Sequence, residues 1–271
     1  MIIPLTTKYT DIMKFRILCL LPLLLSAGAC SVKEDRSVCP CELTVRSASG
    51  LRTEGNVLVS VVQDGNVVKQ GMMSREDFEA GTFVLNIPRR PTEVTVFTGI
   101  TEMNTVAGKR LDIRADHQCD EIYSVSAYIE PDKDSYDCIV SLHKNYARLD
   151  LCVIGMMEDT SMRIKGSVQG YDLVSLDPCE GAFACDPDEG SSTGTWRLRL
   201  PRQLDDSLEL EFDPASEPAF GVRLGRMIAA SGYSYSDEDL LDISVTVDLT
   251  KSSALVNVAD WETTELSILE Y

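Results

Sequence analysis

Alternation constrains this chain more than any other feature. Ala147 to Ile154 places Leu149, Leu151 and Val153 on one side, the period of two that sets one strand face against a core. The habit recurs in the first half at Glu42–Arg46, Asn56–Val62, Thr82–Ile87, Glu93–Gly99, Tyr123–Ile129 and Cys138–Leu142. In the second half it recurs at Met162–Val168, Trp196–Leu200, Leu208–Phe212, Ile243–Leu249, Ala254–Val258 and Glu265–Leu269. Asp64-Gly65-Asn66 is a hairpin turn leading into Val67 and Val68. Helical signals are few. Met72–Ala80 has Ser74 as an N-cap with Asp77 three residues on, and Arg223–Ala230 fits a short helix or a strand. Thr101–Asp120, Asp186–Gly194 and Ser231–Asp239 are polar and read as loops. Many short strands with few helices point to an all-β protein made of β-sandwiches.

A different pattern precedes the strands. Lys14 and Arg16 form a basic region, Ile17–Leu25 is an apolar run broken by Cys19 and Pro22, and Ser26–Ala29 is a small-residue segment leading to Cys30. This is the layout of a cleaved secretory signal. The apolar run is far shorter than the roughly 20 residues that cross a bilayer. A small-residue segment ending on Cys resembles a lipobox, in which cleavage precedes a Cys whose thiol carries diacylglycerol. Ala27 departs from it, standing where Leu is commonest. Cys30 is therefore the expected lipidation site, with ordinary secretion as the alternative. Acyl chains burying about 0.8 kcal/mol per methylene make a stable anchor.

Residues 30–271 suit two domains of about 100 to 120 residues. The expected divisions are a signal peptide at 1–29, a lipidated tether at 30–41, and β-sandwiches at 42–145 and 146–271, with Asn145 as the hinge. The formal charge is −18, and residues 1–29 carry a net +2, leaving −20 on the mature chain. Such a surface disfavours nucleic acid and anionic lipid as partners. Without Cys19 and Cys30, seven cysteines remain: Cys39, Cys41, Cys119, Cys138, Cys152, Cys179 and Cys185. An exported chain can oxidise them, and an odd number leaves at least one unpaired. Cys179 and Cys185 flank a short acidic stretch and form the best local disulfide candidate, ahead of Cys119 with Cys138. Cys39-Pro40-Cys41 is too tight for a zinc-type pair.

The supply of catalytic groups is thin. Only His117 and His143 are present. Gly190 to Gly194 matches G-x-S-x-G, but no His follows it, as a nucleophile elbow requires. Asp132–Asp137 is carboxylate-rich yet lacks the Gly and late Glu of a calcium loop. No phosphate-binding G-x-x-x-x-G-K-[ST] occurs. Trp196 and Trp261 suit core packing better than a sugar platform. Asp206-Ser207-Leu208 is similar to an O-glycosylation sequon of exported proteins in some Gram-negative anaerobes. Neither an enzyme nor a cofactor is expected.

Three stretches carry a resemblance: Cys30 to Pro40 (CSVKEDRSVCP), Leu142 to Leu149 (LHKNYARL) and Val256 to Trp261 (VNVADW). Together they resemble the FimB-like, fimbrillin-associated anchor lipoproteins of Gram-negative gut and oral anaerobes. The resemblance implies two tandem transthyretin-like β-sandwich domains behind a lipoprotein signal peptide. It implies attachment to the outer membrane through the N-terminal lipid, with a role in seating a fimbria at the cell surface and limiting its length. Lys33, Glu34 and Asp35 are similar to the basic-acidic-acidic signal that routes lipoproteins to the cell exterior in those bacteria. The implied partner is a fimbrial subunit, held by β-strand addition. The competing function is a surface adhesin that binds glycan or host protein.

Overall fold

The computed structural model describes residues 35–190 and 192–258, and the backbone of 264–267. The chain divides into two compact units, 1–39 and 40–271, and every strand described lies in the second. The first half contains β1 (Pro40–Ser47), β2 (Asn56–Gln63), β3 (Asn66–Met73), β4 (Val84–Pro88), β5 (Thr92–Ile100), β6 (Asn104–Ala107), β7 (Arg110–Ile113), β8 (Tyr123–Ile129), β9 (Ser135–Val140) and β10 (His143–Lys144). The second half contains β11 (Tyr146–Ile154), β12 (Thr160–Asp172), β13 (Pro178–Cys185), β14 (Asp188–Glu189), β15 (Thr195–Pro201), β16 (Glu209–Pro214), β17 (Phe220–Val222), β18 (Ile243–Asp248), β19 (Ser253–Val258) and β20 (Thr264–Ser267). Two short helices, α1 (Arg75–Glu79) and α2 (Leu224–Ala230), accompany them. The protein is mostly β, as its alternation implies.

Local chemistry explains several boundaries. Ser74 caps α1 by accepting the Asp77 N–H at 3.1 Å, and its hydroxyl donates to the Asp77 carboxylate at 3.0 Å. Asp64 and Gly65 turn β2 into β3 with φ of 52° and 72°, the positive pair that a two-residue hairpin turn demands. Arg223–Ala230, open to either reading in the sequence, resolves as a helix that buries Leu224, Met227 and Ile228.

The strands form four sheets in the orders β4-β1-β9, β10-β8-β5-β2-β3, β14-β15-β11-β18-β19-β20 and β17-β16-β12-β7-β6, with β13 also paired to β12. The first two sheets enclose one core, to which Leu43 and Val45 of β1, Val59 of β2 and Val96 of β5 belong. The other two enclose a second core around Leu149 and Leu151 of β11, Ile164 of β12 and Phe212 of β16. Alternate residues of β2 and β5 turn away from the first core, and Leu58 and Phe97 join the second. Thr95 follows the same direction and donates its hydroxyl to the Leu173 carbonyl at 2.7 Å. The central strands β2 and β5 are thus buried on both faces, which explains the near-continuous apolar run Val57–Val62 of β2.

Two expectations are corrected. Thr101–Asp120 reads as an irregular loop, but it contains the β6–β7 hairpin, which pairs with β12 of the other half through Gly170↔Asp112 and Tyr171↔Leu111. Gly170 makes this approach feasible, because an added Cβ would lie 2.1 Å from the Leu111 carbonyl oxygen. The proposed Cys179–Cys185 bridge also fails. Both thiols are free, at opposite ends of β13 rather than across a loop. At about 3.3 Å per residue they stand roughly 20 Å apart, well beyond disulfide reach.

Candidate functional site

The two halves repeat one pairing pattern that the sequence conceals. β1 lies between antiparallel β4 and parallel β9. β11 lies in the same way between β15 and β18. β2 pairs with β3 and β5, and β5 with β8. β12 pairs correspondingly with β13 and β16, and β16 with β17. β9 is therefore the counterpart of β18, and β8 of β17.

The halves differ in what lies beyond these counterparts. β18 carries β19 antiparallel on its outer side, with β20 beyond, and α2 packs against β16 and β19. β9 ends its sheet, with no further strand among the described residues. β8 is covered by β10 only at Tyr123 and Ser124. Among the described residues, one side of the first sandwich is left open along both sheets.

Main-chain geometry at this open side follows from the register. The Glu42 N–H donates to the Asp134 carbonyl and the Ala48 N–H to the Val140 carbonyl, each at 2.8 Å. In the staggered ladder of a parallel pair, this turns residues 134, 136, 138 and 140 toward β1. The N–H and C=O groups of Ser135, Asp137 and Ile139 point the other way, off the sheet. Their counterparts on β18, namely Ser244, Thr246 and Asp248, face Asn257, Leu255 and Ser253 of β19.

Side chains at the open side are apolar where they meet the core. Cys138 and Val140 are buried and Tyr136 half-buried, while Val125 and Ala127 of β8 are also only half-covered. Ile139 is 68 % exposed and Tyr128 67 %. Burial pushes the Cys138 thiol up from its ordinary value. Carboxylates border the edge. Asp134 pairs with Arg89, Asp137 lies 3.9 Å from Arg46, and Glu130 accepts the Tyr128 hydroxyl at 3.2 Å.

A second feature is a polar cleft of about 550 Å³ on the sheet of β11 and β15, lined by Arg148, Asp150, Arg197, Arg199 and Trp196 among others. Arg197 Nε donates to Asp150 at 2.6 Å, and this bond holds the Arg197 guanidinium above its usual range. Arg199 Nε donates to the Cys119 carbonyl at 2.8 Å. Another cleft, of about 470 Å³, is lined by Tyr233, Tyr235 and Arg202 among others. The guanidinium of Arg202 binds the carbonyls of Tyr235, Asp237 and Glu238, so it serves as an internal strut.

Of the residues singled out in the sequence, Cys30, Lys33, Glu34 and Trp261 lie outside the described residues. Asp35 accepts the Ser37 N–H at 2.9 Å. His143 Nε2 stands 3.1 Å from Glu238, and its Nδ1 3.3 Å from Asp239. His117 Nδ1 lies 2.8 Å from the Ala115 carbonyl. The G-x-S-x-G stretch connects β14 to β15, and Gly190 N–H donates to the Thr195 carbonyl at 2.7 Å. That is a hairpin rather than the strand-to-helix turn of an elbow. Among the described residues no group of three or more His, Cys, Asp or Glu is placed to hold a metal. The open edge was missed in the sequence, because an unpaired flank is a property of pairing rather than of any local run.

No known family profile and no curated protein sequence matches the chain. Solved structures do. A candidate polysaccharide-binding protein from Bacteroides thetaiotaomicron superposes with a TM-score of 0.63 at 13% identity, covering 84% of this chain and 98% of the other. A candidate adhesin from the same organism gives 0.59 at 10% identity, covering 84% and 97%. The fimbrial anchor protein Mfa2 from Porphyromonas gingivalis gives 0.57 at 11% identity, covering 82% and 98%. At these identities the likeness is one of fold, and it extends over nearly the whole of each neighbour.

Proposed function

We propose that this protein is a surface lipoprotein that seats a fimbria on the outer membrane and limits its length. The observation that carries the reading is the fold shared with the fimbrial anchor Mfa2 over 82% of this chain. The N-terminal sequence agrees with it. Cys30 holds the lipid, Lys33, Glu34 and Asp35 route the protein outward, and residues 42–145 and 146–271 act as two β-sandwich domains. The fimbrial subunit is bound by strand addition, in which main-chain hydrogen bonds supply affinity. Deleting the gene tests the reading: fimbriae are expected free in the medium or altered in length, and normally attached fimbriae would sink it.

A second reading is favoured by the polar cleft beside Arg148, Asp150 and Arg197, and by the candidate polysaccharide-binding protein and the candidate adhesin that share the fold. Here the protein is a surface adhesin for glycan or host protein. Saturable binding on a glycan array, lost on Arg197→Ala and without co-purifying fimbriae, supports it.

A further inference from the structure

We infer that Arg148 and Arg199 bind a single sugar carboxylate between them, so that the cleft on β11 and β15 takes a glycan carrying one uronic acid among neutral residues. The inference rests on the adhesin reading above and names the ligand class of that cleft. Its basis is a mismatch between two strands. Arg148 of β11 stands directly opposite Arg199 of β15, which sets their Cβ atoms about 5 Å apart on one face of the sheet. Like charges so placed repel and weaken the pairing. The next pair on the same face, Asp150 and Arg197, is opposite in charge and closes at 2.6 Å. One pair is thus neutralised from within the sheet, and the other is not.

The surroundings hold the two arginines without neutralising them. Arg148 has Glu121 at 3.7 Å, beyond hydrogen-bond length. Arg199 is held by neutral acceptors: its Nε donates to the Cys119 carbonyl at 2.8 Å, and its Nη2 lies 3.7 Å from Met103 Sδ. A carboxylate has two oxygens with which to bridge two guanidiniums, in the charge-assisted geometry that arginine favours. The rest of the cleft suits sugar hydroxyls. Asp150, Glu189, Ser244 and Thr246 line it, and Asp188 and Glu189 of β14 pair with Arg197 and Trp196 rather than with Arg199. Charge limits the ligand further. The chain carries −18, and such a field repels a polyanion at long range, which selects one carboxylate on an otherwise neutral glycan over a polyuronate.

The test titrates the full-length protein in detergent, by calorimetry, with an aldobiouronic acid (one uronic acid linked to one neutral sugar), its methyl ester and the matching neutral disaccharide. Saturable binding of the acid is expected, with the ester and the neutral sugar about tenfold weaker or more. Arg199→Gln and Arg148→Gln are each expected to weaken the acid about tenfold and to leave the ester unchanged. Arg148→Gln keeps the bond from Arg199 to Cys119, so it separates loss of charge from loss of fold. Equal binding of acid, ester and neutral sugar, or variants that bind the acid like the wild type, overturns the inference and leaves the adhesin reading standing. Acetate or inorganic sulfate binding as tightly as the acid disaccharide overturns the sugar, and with it the glycan reading of this cleft. No binding of any of the three sugars overturns the inference, and a glycan array that also stays blank removes the glycan reading.

Discussion

Tyr171 of β12 donates its hydroxyl proton to the main-chain carbonyl of Asn145 and accepts the Arg202 N–H at 3.0 Å. Asn145 was expected to be a hinge. It is instead buried, with its side chain bonded to Ser124 and to Arg202 Nε. The junction between the halves is a locked polar network. Tyr171→Phe keeps the shape but strands a buried carbonyl and a part-buried N–H. It is expected to cost about 1–3 kcal/mol in chemical denaturation, and an unchanged midpoint would show the network to be dispensable.

Gly170→Ala places a methyl against the Leu111 carbonyl at the crossing of β12 and β7. The hairpin must shift, at an expected cost of about 1–3 kcal/mol. Limited proteolysis is the sharper readout: the variant is expected to be cut within residues 101–120, where the wild type resists.

Asp239 links acid stability to this junction. Burial alone would raise its pKa. The Lys144 N–H and His143 outweigh that, and the carboxyl sits below its ordinary value. A carboxyl depressed on folding adds stability above its unfolded pKa, and this is lost as pH falls through the lower folded value. Asp239→Asn is therefore expected to be less stable at neutral pH and to lose stability less steeply below about pH 4, as read from urea midpoints across the pH range.

The cysteines make a redox prediction. Cys119 and Cys185 are buried. Burial pushes Cys185 up to about 12, and Cys119 upward in the same way. Reactivity follows the thiolate, so both are expected to resist alkylation in the native protein and to react on unfolding. Peptide mapping is expected to find no Cys179–Cys185 bridge, and finding that cross-link would contradict the extended course of β13.

For the N-terminal segment, Cys30→Ala is expected to abolish labelling by a radioactive fatty acid and to release the protein from the membrane fraction. Replacing Lys33, Glu34 and Asp35 by Ala is expected to keep the lipid but to shield the protein from protease added to intact cells. Persistent membrane retention of Cys30→Ala would contradict the lipid assignment.

Strands with their own period were legible in the sequence. Tyr123–Ile129 and Ala147–Ile154 agree with β8 and β11 to within one residue, because each pattern is written by a core on one face. β6 and β7 were not, since their pairing depends on Gly170, more than 55 residues away. β13 was hidden in the same way. Pro178–Cys185 is half-exposed and pairs only with β12, so its composition reads as loop. The open flank of β9 is visible only beside β18, which carries a strand that β9 lacks among the described residues. Ile139 looks in sequence like any other apolar residue of a strand.

The central position of β1, held by β4 on one side and β9 on the other, has a mechanical consequence. Tension applied through the N-terminus runs along the axis of this strand. It loads both ladders in shear, so the bonds from Pro40 to Ser47 must give way together rather than in succession. Forced unfolding follows a rate rather than an equilibrium, and a strand clamped on both sides places that rate-limiting rupture at the point where the chain enters its first sandwich.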